Sequence, residues 1–215
     1  MSLSPNFGPR PEGCPVDMLV LHYTGMQSAE AALARLCDPA AEVSAHYLVG
    51  EDGEVAALVA EEHRAWHAGK SSWRGHTDVN SRSIGIEIVN PGHEFGYRPF
   101  PDAQIMALID LCQGILARWP IPARNVVGHS DVAPARKQDP GELFPWKRLA
   151  DSGIGLWPIA TGAGGDAAVL LRDYGYEGDL PDVLRAFQRH FRPSLCDGRL
   201  DQETGALLNG LIRQL

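Results

Sequence analysis

What this chain lacks narrows the field first. Only four cysteines occur in 215 residues, Cys14, Cys37, Cys112 and Cys196, scattered and without a CxxC pair. That argues against a cysteine zinc site and leaves free thiols as the expectation, with Cys112 inside an apolar helical pattern and therefore in the core. Positive charge is scarce: 19 Lys and Arg against 27 Asp and Glu give a formal net charge of −8, with no basic cluster. A nucleic-acid-binding face needs such a cluster, so no nucleic acid partner is expected. There is no run of about 20 apolar residues to span a bilayer. Residues 1–11 have neither the basic start nor the apolar segment of a signal peptide. As it stands the chain reads as cytoplasmic; removal of an export or lipoprotein signal would leave the same sequence and place it in the periplasm or at the outer membrane. No feature sets an oligomeric state.

What is present is an ordinary globular composition, 44% hydrophobic, enough for a sizeable core. Residues 18–23 form an apolar run between turns and read as a buried strand. Ser28 is a plausible cap for a helix that stops at Asp38-Pro39. Residues 46–49 and 55–59 flank Glu51-Asp52-Gly53, a strong hairpin signal. Residues 60–82 are polar, aromatic and aperiodic, as a functional loop would be. From 83 to 89 the residues alternate, with Ile84, Ile86 and Ile88 on one face and Gly85, Glu87 and Val89 on the other. Residues 102–119 carry helical apolar spacing up to Pro120, 125–128 a short strand and 143–149 a short helix. A glycine-rich stretch over 153–165 reads as a linker. Three helical patterns follow, at 167–174, 181–191 and 201–215. The expected architecture is α/β, a mixed central β-sheet flanked by helices, in residues 1–160, with a small three-helix module in residues 161–215.

Chemistry concentrates in two places. His22 ends the apolar run at 18–23, and the segment after strand 125–128 carries His129, Lys137 and Asp139 on a loop stiffened by Pro134 and Pro140. Two histidines and one carboxylate form a common catalytic zinc set with a position left for water. Eight histidines are present, however, and Asp-Pro is also a plain turn signal. Glu87 faces either water or a cleft; beside a metal it could accept a proton. Lys137 is either a surface lysine or an ammonium placed to stabilise an oxyanion. Trp66, His67, Trp73 and Asn80 in the long loop either line a substrate groove or pack the loop down. Tyr47, beside the hairpin, could also face the cleft.

Five separated motifs then occur in order: His22-Tyr23-Thr24-Gly25, Val43-Ser44-Ala45-His46-Tyr47-Leu48-Val49, Arg64-Ala65-Trp66-His67-Ala68-Gly69, Ser83-Ile84-Gly85-Ile86-Glu87, and the loop from His129 to Gly141. Over roughly residues 17–158 the chain resembles the type 2 N-acetylmuramoyl-L-alanine amidases, relatives of the peptidoglycan-recognition proteins. The tail motifs, among them Leu171-Arg172-Asp173-Tyr174-Gly175-Tyr176 and Ala186-Phe187-Gln188-Arg189-His190-Phe191, resemble a peptidoglycan-binding module. The pairing of the two resembles outer-membrane-anchored amidases of enterobacteria. The resemblance implies the peptidoglycan-recognition-protein-like fold and Zn2+ held by His22, His129 and Asp139. It implies Glu87 as the catalytic carboxylate, Lys137 as a transition-state helper, and a peptidoglycan or muropeptide substrate. The implied reaction is hydrolysis of the amide between N-acetylmuramic acid, including its 1,6-anhydro form, and L-alanine. A non-catalytic peptidoglycan receptor and a zinc peptidase cutting within the stem peptide are the alternatives.

Overall fold

The computed structural model describes residues 3–162 and 164–215. Met1, Ser2 and Ala163, the last within the expected glycine-rich joint, lie outside the described residues. The strands are β1 (Phe7–Pro9), β2 (Met18–Tyr23), β3 (Tyr47–Val49), β4 (Val55–Ala57), β5 (His63–Ala65), β6 (Ser83–Ile88) and β7 (Val126–Gly128). The α-helices are α1 (Ala29–Cys37), α2 (Val79–Arg82), α3 (Gly92–Phe95), α4 (Asp102–Arg118), α5 (His129–Val132), α6 (Trp146–Asp151), α7 (Ala167–Tyr174), α8 (Leu180–Phe191) and α9 (Gln202–Ile212). A five-stranded sheet runs β4-β3-β6-β2-β7, and β1 pairs with β5 in a separate antiparallel ribbon. The expected mixed sheet flanked by helices is borne out.

Strand β2 is apolar along nearly its whole length because it is central and parallel to both neighbours, so both its faces are covered. Its register with β6 pairs Leu21 with Ile86 and His22 with Glu87. On the other side Leu21 pairs with Gly128, so His129 follows directly at the same edge. Side chains alternate across the sheet. Leu19, Leu21, Ile84, Ile86 and Ile88 meet α4 through Ile105, Leu108, Cys112 and Ile115. Gln104 of that helix donates to the carbonyls of Val49 and Val89 at 3.0 and 2.9 Å, which locks it across the strand ends. The opposite face carries Met18, Val20 and Val127, and these join a second apolar cluster.

That second cluster is built largely by the tail. Leu171, Tyr174, Tyr176, Phe187, Phe191, Leu208 and Leu211 pack in one body with Met18, Val20, Trp73 and Val127. Asp166 caps α7 by accepting from Ala168 N–H at 2.8 Å, and Asp201 caps α9 by accepting from Thr204 N–H at 2.8 Å. Trp73 is the keystone between the two parts: its ring meets Tyr174 and Tyr176 edge-on at 5.7 and 5.1 Å, and its Nε1–H donates to Asn125 Oδ1 at 3.2 Å. The long loop is thus tied down by the tail, with Arg74 N–H donating to Gly175 O at 3.0 Å. No helix among the described residues is long and apolar enough to cross a membrane.

A shared core makes folding cooperative across residue 160. Urea unfolding followed by circular dichroism and by tryptophan fluorescence is expected to give coincident transitions, and Trp73→Ala to cost about 3–5 kcal/mol of stability. Two separated transitions would contradict the shared core.

Candidate active site and metal centre

The C-terminal edge of three neighbouring parallel strands delivers the site, the usual place for ligands in such sheets. His22 comes from β2, Glu87 from β6 and His129 from the first residue after β7. Asp139 is brought in by the following loop, whose backbone is clamped to the His129 turn by Ser130 N–H donating to Asp139 O at 2.9 Å. Tyr97 holds the far side of the same loop, its hydroxyl donating to Pro140 O at 2.7 Å and accepting from Leu143 N–H at 2.9 Å.

His22 Nδ1 and His129 Nδ1 are 2.9 Å apart, and each lies 3.1 Å from Asp139 Oδ2. The proton on the His22 ring is dictated from outside. The Ser83 hydroxyl donates to Val79 O at 2.6 Å, so its oxygen can only accept from His67 Nε2–H at 3.0 Å. His67 Nδ1 therefore accepts, and His22 Nε2–H donates to it at 3.0 Å. His129 Nε2 faces the carbonyl of Ala68 at 3.1 Å and donates to it in the tautomer that leaves Nδ1 free, with Arg136 Nη2 3.3 Å from the same nitrogen. With Nε2 of each ring protonated, both Nδ1 atoms are bare lone pairs facing a carboxylate oxygen.

Three donors, unprotonated in this tautomer, converge from buried side chains. Their separations are slightly below the roughly 3.3 Å expected between tetrahedral ligands with bonds of about 2.0–2.1 Å. The nitrogen and oxygen donor set, held by outer hydrogen bonds to the other ring nitrogens, fits a divalent metal ion. Burial and the neighbouring His129 push the His22 pKa down to about 4. Burial alone would raise that of Asp139, but the two histidines, when protonated, reverse this and hold it below the usual carboxylate range.

A cleft of about 370 Å³ opens over this triangle, lined among others by Tyr23, Arg35, Trp66, Glu87, Lys137 and Asp139. Glu87 is half-buried, and its Oε2 is out of solvent with no hydrogen-bond partner among the described residues. Burial, then Asp139, raises its pKa well above the ordinary value, and Lys137 opposes them. Glu87 thus stands at the cleft wall with one carboxyl oxygen unpaired and with a raised affinity for a proton.

The structure brings His22, His129, Asp139, Glu87, Lys137, Trp66 and His67 together and leaves three expected contacts out. Tyr47 shares a sheet face with its register partner Ile86, opposite Glu87, and its hydroxyl donates to Glu61 Oε1 at 2.6 Å. Trp73 is buried in the tail interface. Asn80 is buried, its Oδ1 accepting from His67 N–H at 3.1 Å and Ala68 N–H at 2.8 Å, so it shapes the loop from behind. These three lie away from the lining of this cleft and support the sheet and the loop. His67 touches the cleft, but its ring is spent on His22 and Ser83. Tyr23 and Arg35 were not expected at the cleft; Tyr23 is flagged only by its place beside His22, and Arg35 by no local signal.

The N-acetylmuramoyl-L-alanine amidase family model matches residues 12–142, a span that holds every residue of the triangle together with Glu87 and Lys137. The chain belongs to this family of enzymes. The amidase is 42% identical to N-acetylmuramoyl-L-alanine amidase AmiD of Escherichia coli, over 93% of this chain and 83% of that protein. A solved structure of E. coli AmiD, in complex with anhydro-N-acetylmuramic acid-L-Ala-D-gamma-Glu-L-Lys, matches with a TM-score of 0.83 at 40% identity, covering 95% of this chain and 92% of that one. AmpDh3 of Pseudomonas aeruginosa, in complex with anhydromuramic pentapeptide, matches with a TM-score of 0.86 at 39% identity over 96% and 95%. The 1,6-anhydro-N-acetylmuramyl-L-alanine amidase AmpD of Enterobacter cloacae is 36% identical over 68% of this chain and 85% of its own length. The AmiD and AmpDh3 likenesses run into the tail helices of this amidase.

Because the native state holds Glu87 protonated at a pH where the unfolded chain does not, this group lowers stability as pH rises above its ordinary pKa. His22 acts oppositely: its depressed pKa removes stability as pH falls from about 6.5 toward about 4. Glu87→Gln is therefore expected to raise the melting temperature of the metal-free protein at pH 7, with the gain shrinking toward pH 4.5. A melting temperature unchanged at pH 7 would show that the carboxylate is not strained by its surroundings.

Proposed function

We propose that this amidase uses zinc, held by His22, His129 and Asp139, to hydrolyse the amide between the lactyl group of N-acetylmuramic acid and the L-alanine of muropeptides, including those ending in 1,6-anhydro sugar. The convergent, proton-free triangle beside an unpaired Glu87 carries this reading. The anhydro-muropeptides bound to AmiD and AmpDh3 support the anhydro-muropeptide class.

When bound, zinc supplies Lewis-acid polarisation of a carbonyl and makes water a stronger acid. Glu87 takes the proton of the attacking water as its oxygen bonds to the carbonyl carbon. The raised proton affinity of this buried carboxylate suits that task. Lys137, at the mouth of the same cleft, offsets the negative charge that collects on the carbonyl oxygen. Glu87 then returns the proton to the L-alanine nitrogen as the carbon–nitrogen bond breaks, leaving a lactyl carboxyl group and a free peptide amine. Trp66 forms an apolar wall of the cleft, suited to a sugar face. In this reading residues 1–160 carry the chemistry, and residues 161–215 are a helical unit contacting peptidoglycan, supported by the resemblance of their motifs.

Incubation with a soluble anhydro-muropeptide, followed by mass spectrometry, is expected to release a stem peptide starting at L-alanine and to stop on chelation. Cleavage inside the stem would indicate a peptidase, and binding without cleavage a receptor. Glu87→Ala is expected to retain zinc but lose about 10²–10⁴ in turnover, and Lys137→Ala about 10²–10³. Near wild-type turnover in Glu87→Ala would remove it from the mechanism.

A further inference from the structure

We propose that the tail helices position the metal centre, with Tyr176 and His190 acting through Asp131 to hold the His129 turn. This rests on the reading of His22, His129 and Asp139 as a metal site. Asp131 lies two residues after His129 in α5 and is fully buried. Its Oδ2 accepts from Gly128 N–H at 2.7 Å, closing the turn on which His129 stands. The other two donors come from the tail. The Tyr176 hydroxyl donates to Oδ1 at 2.7 Å, and His190 Nδ1–H donates to Oδ2 at 2.7 Å.

His190 is itself fixed, stacked on Trp146 with centroids 3.7 Å apart and planes 19° apart. The same turn is bonded to the Asp139 backbone through Ser130. These hydrogen bonds tie α8 to the backbone turn that carries His129, and the Ser130 bond ties that turn to the backbone of Asp139. Simple docking of the tail needs none of these polar groups. Its apolar residues already fill the cluster, and an ionisable side chain under a packed helix is a liability unless its partners are all present. A buried carboxylate with three donors is a rigid fixed point. Groups that orient ligands in this way typically contribute about 10–100-fold to metal affinity.

The test uses the full chain and three readouts: zinc affinity by chelator competition, the visible spectrum of the cobalt(II)-loaded protein, and thermal stability without metal. Tyr176→Phe combined with His190→Leu removes both tail donors and keeps apolar volume. It is expected to lose about 10–100-fold in zinc affinity and to shift the cobalt spectrum. His190→Asn, which keeps a donor at the δ position, is expected to recover most of the affinity lost in His190→Leu. Tyr176→Phe alone, which removes a single hydroxyl, gives a smaller loss and remains informative if the double variant does not fold. Leu211→Ala destabilises the tail core without touching Asp131, and is expected to lower the melting temperature with affinity and spectrum unchanged. Wild-type affinity and spectrum in the Tyr176 and His190 variants would overturn the proposal, as would an equal loss in Leu211→Ala. A wild-type chain that binds neither zinc nor cobalt would instead overturn the metal reading beneath it.

Discussion

Lone pairs crowded together without a proton repel one another, and the whole catalytic half of this protein is arranged to keep three of them crowded. His22 cannot turn its other nitrogen inward, because that nitrogen is committed to His67, and His67 is committed to Ser83. His129 is held the same way by Ala68 O, which also accepts from the Arg136 guanidinium. The repulsion is therefore built into the fold and is relieved when a cation sits among the donors. Metal binding and folding share one free-energy balance in such a site.

The parallel register supplies the geometry that this requires. In a parallel pair, residues at equal height share a face, so one apolar strand flanked by two others places three polar side chains side by side where the apolar run stops. The isoleucines at 84, 86 and 88 and the leucines at 19 and 21 hold that alignment from the far face. A slip of one residue would turn His22 into the α4 side of the core.

This logic is also why part of the site was legible in sequence. His22 and Glu87 interrupt strand patterns, and a polar group in an apolar period stands out. Asp139 and Lys137 are legible through the company of His129 and through the order of motifs, since a loop has no period to violate. The aromatic loop was harder. Trp66 and Trp73 look alike in composition, yet one lines the cleft and the other is buried against Tyr174 and Tyr176, a difference set by helices about a hundred residues later. Tyr47 misleads because its neighbour His46 does face the site side, packing at 5.9 Å from His67, and one step along a strand reverses the face. The β1–β5 ribbon is three residues long on each side and includes Gly8 and Pro9, too short and too irregular to carry an alternation. The tail helices, by contrast, fall almost where their apolar spacing puts them.

On the site face of β6 the side chains run Ser83, Gly85, Glu87: a hydroxyl, a hydrogen and a carboxylate. The ring of His67 lies flat over the middle one, so close that a β-carbon there would sit 2.4 Å from its Cγ. The floor of the cleft is in this sense a casting with no spare volume. Diversification of what such an enzyme accepts is then confined to the rim, where Arg35 of α1 lines the cleft without joining the hydrogen bonds of the floor.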